Sequence, residues 1–475
     1  MSANQLHSAL RQLLTTDLAW QYRIVPESKE GNTVCFITDQ PESKLMYLQD
    51  ELEVLLNIAP EFRLVEDSQL ERELLLNYPR QQARAQAPTS AKVESEEFVV
   101  QLIAEAKELR SSDIHIEPYE ANSRVRIRVD GQLVERYVIE KNHYPALVNK
   151  VKIMSHLDIA EKRLPQDGRI FYHRGDVKFD IRVSVLPTLF GEKIVMRILS
   201  NDASTIDLEM LGFDQEDLAR YREGVKKPHG ILLISGPTGS GKTTTLYATL
   251  KELNTKHRNI VTIEDPIEYT LEGINQVQLK ESIGLDFGKA LRTFLRQDPD
   301  VIMVGEIRDP DTANMAVRAA LTGHLVLSTI HTNSAWGTIS RLLDMGLPSY
   351  LIASTLNTSV AQRLVRLLCP VCKKEEEFTS EMYPPAYRHV TEIITHYRPV
   401  GCDACFYTGY KGRQAIYEVI GIDHELAEKI KIADLTISKK KLVEKGVTTL
   451  SDNAFQLFKE GKTTIEEIYS LLYSA

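Results

Sequence analysis

The chain has 475 residues, 43% of them apolar and 26% charged, which describes an ordinary globular protein too long for a single hydrophobic core. With 57 Lys and Arg against 66 Asp and Glu the net charge is −9, which argues against a polyanion such as nucleic acid as the main partner. No apolar run approaches the roughly 18 residues of a membrane span, and the start lacks a signal peptide's basic and apolar regions, so the expectation is a cytoplasmic protein without direct membrane insertion.

Residues 1–77 begin with Leu6, Leu10, Leu13 and Leu14 at helical spacing and contain the strand-like run Thr33–Thr38. This reads as a small α+β domain in which Cys35 is a small core residue. Residues 78–95 carry almost no large apolar side chains and read as a flexible linker. A helix then presents Phe98, Val99, Leu102, Ile103, Ala106 and Leu109, and leads into Ser112-Asp-Ile-His-Ile-Glu117. Strict alternation in Val125–Val129, a turn at Asp130-Gly131 and the return Gln132–Val138 predict a β-hairpin. With strands at Arg169–Tyr172 and Lys178–Ser184, residues 96–200 form a second α+β domain.

From about Ser204 the pattern changes. Short apolar runs at Ile231–Ser235, Asn259–Ile263, Val301–Val304 and Leu325–Thr329 alternate with helical segments. That predicts an α/β core over 204–368, a mainly parallel, helix-covered sheet of RecA-like type. The first run enters Gly236-Pro237-Thr238-Gly239-Ser240-Gly241-Lys242-Thr243-Thr244, and a helix-forming run follows. This is G-x-x-x-x-G-K-[ST] in the strand–loop–helix context of a phosphate-binding loop. Its glycines let backbone N–H groups turn toward a phosphate chain, and the helix adds its positive end. Lys242 is expected to reach the β- and γ-phosphates and the Thr243 hydroxyl to sit on Mg²⁺. The chain therefore binds ATP or GTP.

Asp300–Glu306 has the form of a Walker B strand, yet Gly305 stands where an Asp usually holds Mg²⁺, leaving Glu306 alone. The missing carboxylate is sought in Glu264-Asp265-Pro266-Ile267-Glu268, which follows another apolar strand; a plain surface turn closed by Pro266 is the competing reading. His324 and His331 bracket the strand Leu325–Thr329 and are candidates for sensing the γ-phosphate, or else satisfied core histidines.

Two C-x-x-C pairs, Cys369/Cys372 and Cys402/Cys405, follow within residues 369–410. Four thiolates from two tight turns suit tetrahedral Zn²⁺ in a closed, structural site. Disulfides are disfavoured in the cytosol, and a redox C-x-x-C needs only one pair. Residues 411–475 read as helical, with Lys439–Lys441 on a solvated face.

Taken together, Gly236–Thr244, Glu264–Glu268, Asp298–Asp309 and Thr322–Asn333 resemble the Walker A, Asp box, Walker B and His box of the secretion ATPase superfamily, which powers type II secretion and type IV pili. Ser112–Pro118, Leu164–Arg169 and Ala361–Arg366 extend the resemblance over residues 95–475. The resemblance makes Gly305 the family's own pattern. It implies a homohexamer that hydrolyses ATP to drive a pseudopilus or pilus through an inner-membrane platform protein. It also implies peripheral attachment to the inner membrane through partners, among them a cytoplasmic docking protein. Arg169 and Arg182 match the family's arginine fingers, which would reach a nucleotide across a subunit boundary; solvated strand arginines are the alternative. The tetracysteine module favours an extension ATPase over a retraction ATPase. The first 80 residues lack the Arg-Leu-Gly repeat of cyclic-di-GMP-binding domains, and a nucleic-acid motor or a scaffold without turnover fits the residues less well.

Overall fold

A computed structural model describes residues 10–473 except 11–12, 15, 57, 79–95, 175–176, 200–206, 380–381, 385–386, 388–392 and 437–438. Leu6 of the expected first helix, and the expected linker apart from Tyr78, lie outside the described residues. The chain divides into two units, 1–87 and 88–475.

In the first unit β1 (Ile24–Glu30) and β2 (Thr33–Thr38) pair antiparallel, and β3 (Ala59–Leu64) joins β2 in parallel. Alternation along β2 sends Val34 and Phe36 into a core with Ile24, Leu52, Leu70 and Leu74. The same alternation corrects the expectation for Cys35. It lies on the opposite face and is only half-buried.

The second unit opens with a six-stranded antiparallel sheet. Its strands are β4 (Asp113–Pro118), β5 (Asn122–Val129), β6 (Gln132–Glu140), β7 (Gln166–Arg174), β8 (Val177–Thr188) and β9 (Gly191–Leu199), in the order β6-β5-β4-β9-β8-β7. Asp130 and Gly131 make the β5–β6 turn with φ of 48° and 87°, as the sequence predicts. One face packs Ile114, Ile116, Val125, Ile181, Val183 and Met196 against Phe98, Leu102 and Ile103 of the helix Glu96–Glu108. The opposite face is charged. There Glu117 is buried between Arg126 at 2.8 Å, Lys193 at 3.0 Å and Arg124 at 3.1 Å. Burial alone would raise its pKa, but these cations outweigh it and hold the carboxyl at about 2 against an ordinary 4.5. The folded state therefore binds this proton less tightly than the unfolded chain. The stability contributed is present above pH 4.5 and lost as pH falls toward 2. Denaturant melts should show Glu117→Gln less stable than wild type at pH 7, with the gap closing between pH 4.5 and 2. A gap that stays constant would rule out the charge as its cause.

The remaining strands are β10 (Gly230–Ser235), β11 (Ile260–Glu264), β12 (Asn275–Gln278), β13 (Val301–Val304), β14 (Leu325–Ile330), β15 (Leu356–Leu368), β16 (Lys374–Glu377), β17 (Thr395–Arg398) and β18 (Tyr410–Gly421). All but β16 and β17, which pair with each other, form one sheet in the order β12-β11-β13-β14-β10-β15-β18. Pairing is parallel up to β15, and β18 closes the edge antiparallel. Every residue of β10, β11, β13 and β14 is buried, the mark of a sheet covered on both faces. Ile231 and Leu233 pack to one side, Leu232 and Ile234 to the other. Truncating any of the four to Ala would cost about 2–5 kcal/mol.

All four predicted core strands are present, but the sheet is larger than expected. Thr358, Ser359 and Gln362 make β15 look polar, although all three are buried. The strand β18 lies beyond the cysteine pairs, so residues 411–475 are not helical throughout. It belongs to the central sheet, and the cysteine lobe is an excursion between two paired strands.

Candidate functional site

Parallel pairing places the C-terminal ends of β10, β11, β13 and β14 on one sheet edge, where ligands of such sheets bind. The loop after β10 turns through Gly236, Gly239 and Gly241, all with positive φ, into the helix Lys242–Leu253. At Gly236 a Cβ would come within 2.5 Å of the Gln362 carbonyl, so close approach of β15 demands glycine there. Gln362 also grips the loop, donating to the Ser240 carbonyl and accepting from Thr245 Oγ1, both at 2.9 Å. The Lys242 ammonium is buried and donates to the carbonyls of Gly236 at 2.8 Å and Pro237 at 3.0 Å. Burial lowers its pKa; the nearby Glu306 opposes that and Arg363 adds to it. Pro237, Thr238, Gly239 and Thr243 are exposed and Thr244 half-buried, while the Ser240 hydroxyl is buried with no partner among the described residues. The helix's first N–H groups have no intrahelical acceptor. This glycine-lined cradle with amide and ammonium donors fits a polyphosphate, and Thr243 would hold Mg²⁺.

The acids come from the next two strands. Gly305 donates to the Ile263 carbonyl at 2.8 Å, and a Cβ there would lie 3.3 Å from that oxygen. An aspartate at this point would crowd the end of β11. Glu306 follows, with one carboxylate oxygen bonded by Arg308 and the other 3.4 Å from His331 Nε2. Beyond β11 the three candidate acids part company. Glu264 turns inward and accepts from Tyr247, from Thr262 Oγ1 at 2.5 Å and from Gln276 Nε2 at 3.1 Å. Its burial raises its pKa, which those hydrogen bonds oppose. It ties the P-loop helix to the acidic turn, while Asp265 and Glu268 keep partial exposure.

The two histidines are separated by the length of β14. His331 follows its C-terminal end and meets Glu306. His324 precedes its N-terminal end, with Nδ1 2.9 Å from the Ala319 carbonyl and 3.1 Å from Thr322 Oγ1. Six strand residues, about 20 Å, put His324 on the far edge of the sheet. Of the two candidate histidines, His331 is the one on the P-loop side of the sheet.

From the antiparallel sheet, Arg182 donates to the Ile267 carbonyl at 2.5 Å and lies 3.7 Å from Glu268. Cross-strand register sets Arg169, Arg182, Arg197, Asp113 and Arg128 in one row across β7, β8, β9, β4 and β5. Arg197 is a residue that sequence reasoning missed; only the pairing reveals it beside Arg182. Burial pulls the Arg182 pKa down, Glu268 opposes, and Arg169 and Arg197 add repulsion. Its Nε is buried with no partner among the described residues. Clustered guanidinium groups with an unpaired donor are an anion-binding arrangement. Tyr247, Gln362 and Arg308 were likewise not singled out from the sequence.

The four cysteines converge, their sulfurs all within 4.8 Å of one another. Sγ–Sγ separations are 3.9 Å for Cys369–Cys402, 3.7 Å for Cys372–Cys405 and 3.8 Å for Cys402–Cys405. Zn–S bonds of about 2.3 Å give a tetrahedral edge of about 3.8 Å, so the donor set fits zinc. Gly401 N–H donates to the Cys372 sulfur and Gly409 N–H to that of Cys405, both at 3.3 Å, which favours thiolates.

Comparison with known proteins finds that residues 89–470 match the family model described as type II/IV secretion system protein. The type IV pilus assembly ATPase PilB of Myxococcus xanthus is 48% identical over 375 residues, covering 77% of this chain and 66% of the relative. The type II secretion system ATPase E of Vibrio cholerae is 45% identical over 367 residues, covering 77% of this chain and 73% of the relative. Among solved structures, the Legionella pneumophila ATPase DotB superposes with a TM-score of 0.61 at 21% identity, covering 80% of this chain and 96% of that one. That likeness shows the mixed α/β fold. Among the described residues no helix is long and apolar enough to cross a membrane.

Proposed function

Since this chain belongs to the type II/IV secretion system protein family of ATPases, we propose that it is a hexameric motor whose RecA-like core hydrolyses ATP to drive assembly of a type II pseudopilus or a type IV pilus. The force is delivered through an inner-membrane platform protein. Residues 1–77 serve a cytoplasmic docking protein, so that the motor is cytoplasmic and held peripherally at the inner membrane.

The observation that carries this reading is the sheet edge where the P-loop, the Glu306–His331 pair and the acidic turn meet, with Arg182 lying against that turn. Lys242 and the helix amides grip the phosphates, and Thr243 with Asp265 or Glu268 would hold the metal. Magnesium, when bound, neutralises phosphate charge. Glu306 orients the attacking water and takes its proton as the bond to the leaving ADP oxygen breaks, while the arginine row stabilises the charge that develops. Phosphate release should be ATP-dependent, lost in Glu306→Gln and indifferent to DNA. Steep salt-dependent stimulation by DNA would favour a nucleic-acid motor instead.

Arg182 lies against the acidic turn of its own chain, and in the hexamer proposed here the arginine row, as the resemblance implies, serves a nucleotide across a subunit boundary. Arg182→Ala should slow turnover by about 10³-fold with little change in ATP affinity. Mixing Arg182→Ala with Glu306→Gln chains should raise activity above that of either parent, because some interfaces then hold both an intact arginine and an intact Glu306. An average of the two parents at every mixing ratio would mean that the arginine acts within its own subunit or not at all.

A further inference from the structure

We propose that Arg308 is a positioning residue for the water-activating acid: it holds Glu306 in line and ties it to the acidic turn through Asp265. The proposal rests on the catalytic assignment of Glu306 above. Between β13 and the helix Pro310–Leu321, Glu306 and Arg308 flank Ile307, which is buried and whose N–H donates to the Thr329 carbonyl at 2.8 Å. Asp309 caps the helix, accepting from Thr312 N and Thr312 Oγ1, both at 2.8 Å. The Arg308 backbone is thus pinned on both sides by groups that take no part in nucleotide chemistry.

The guanidinium bonds one Glu306 oxygen and lies 3.9 Å from Asp265, and His331 stands against the other Glu306 oxygen at 3.4 Å. A carboxylate held at both oxygens loses the rotation that a free glutamate keeps, so the cost of aligning it with water is met before ATP arrives. The bond to Glu306 is also the main reason the Arg308 pKa lies above the ordinary arginine value. A plain surface ion pair is the competing account, because the Arg308 side chain is 59% exposed and such pairs contribute little. Against it, the Glu306 side chain is only 16% exposed, and the guanidinium spans acids from the ends of two strands.

The test compares single-turnover rates and ATP affinity in Arg308→Ala, Arg308→Lys, Glu306→Gln and the Glu306→Gln/Arg308→Ala double variant. Arg308→Ala should lower kcat about 10–100-fold with Kd for ATP within about twofold, and Arg308→Lys should regain part of the loss. The double variant should be no slower than Glu306→Gln alone, because residues acting as one unit are not additive. Multiplying losses, wild-type turnover in Arg308→Ala, or a matching loss of ATP affinity would each overturn the proposal while leaving Glu306 its role. Equal turnover by wild type and Glu306→Gln would remove that role, and the positioning role with it.

Discussion

Lys242→Ala should bind ATP at least about 100-fold more weakly than the wild type, which corresponds to about 2.7 kcal/mol. The ammonium is a buried charge whose hydrogen bonds among the described residues go to the Gly236 and Pro237 carbonyls of the loop itself. A polyphosphate offers it full anionic partners, and charge-assisted bonds are roughly twice as strong as neutral ones. Glu306→Gln should behave differently. It keeps the shape of the site and acceptor oxygen, so ATP affinity should stay within about threefold while turnover falls about 10²–10⁴-fold. Nucleotide binding by fluorescence and phosphate release under single-turnover conditions separate the two. If both variants lose affinity equally, the division into a phosphate-gripping lysine and a water-activating acid is wrong.

Zinc removal should have the second large effect. Metal analysis of the purified chain is expected to find close to one zinc per chain, and less than about half would contradict the four-thiolate site. Strong chelation, or Cys402→Ser, should unfold the lobe between Cys369 and Cys405 and expose it to proteases, because apparent binding energies of structural zinc run to about 10–16 kcal/mol. The lobe's own packing is small beside that. Its two strands, β16 and β17, are short, and its apolar contacts are peripheral: Phe378 packs 5.5 Å from Phe458, while Tyr383 and Tyr387 lie 6.2 and 6.0 Å from Phe455. The central sheet should survive, since β15 and β18 pair along most of their length independently of the cysteines. ATP binding that persists after chelation, beside proteolysis confined to the lobe, is the expected result. Loss of both together would make the zinc a keystone of the whole core.

What the amino-acid sequence determined alone is the chemistry that lies within short contiguous spans. The P-loop, the four apolar core strands, the Asp130-Gly131 hairpin and the cysteine spacing depend on neighbours a few residues apart, and backbone sterics and side-chain periodicity make them legible. Tertiary structure decided everything that depends on strand register and on which end of a strand meets which. Glu264 and Asp265 are adjacent, yet one is sealed against Tyr247 and the other stays at the surface. His324 and His331 look alike as candidates until the direction of β14 sends them to opposite edges of the sheet. Arg169, Arg182 and Arg197 are spread over three strands, and only antiparallel pairing aligns them. The polar strand β15 and the late strand β18 are held by partners distant in the chain. Such contacts arise from burial and hydrogen bonding across the sheet, which local pattern does not encode.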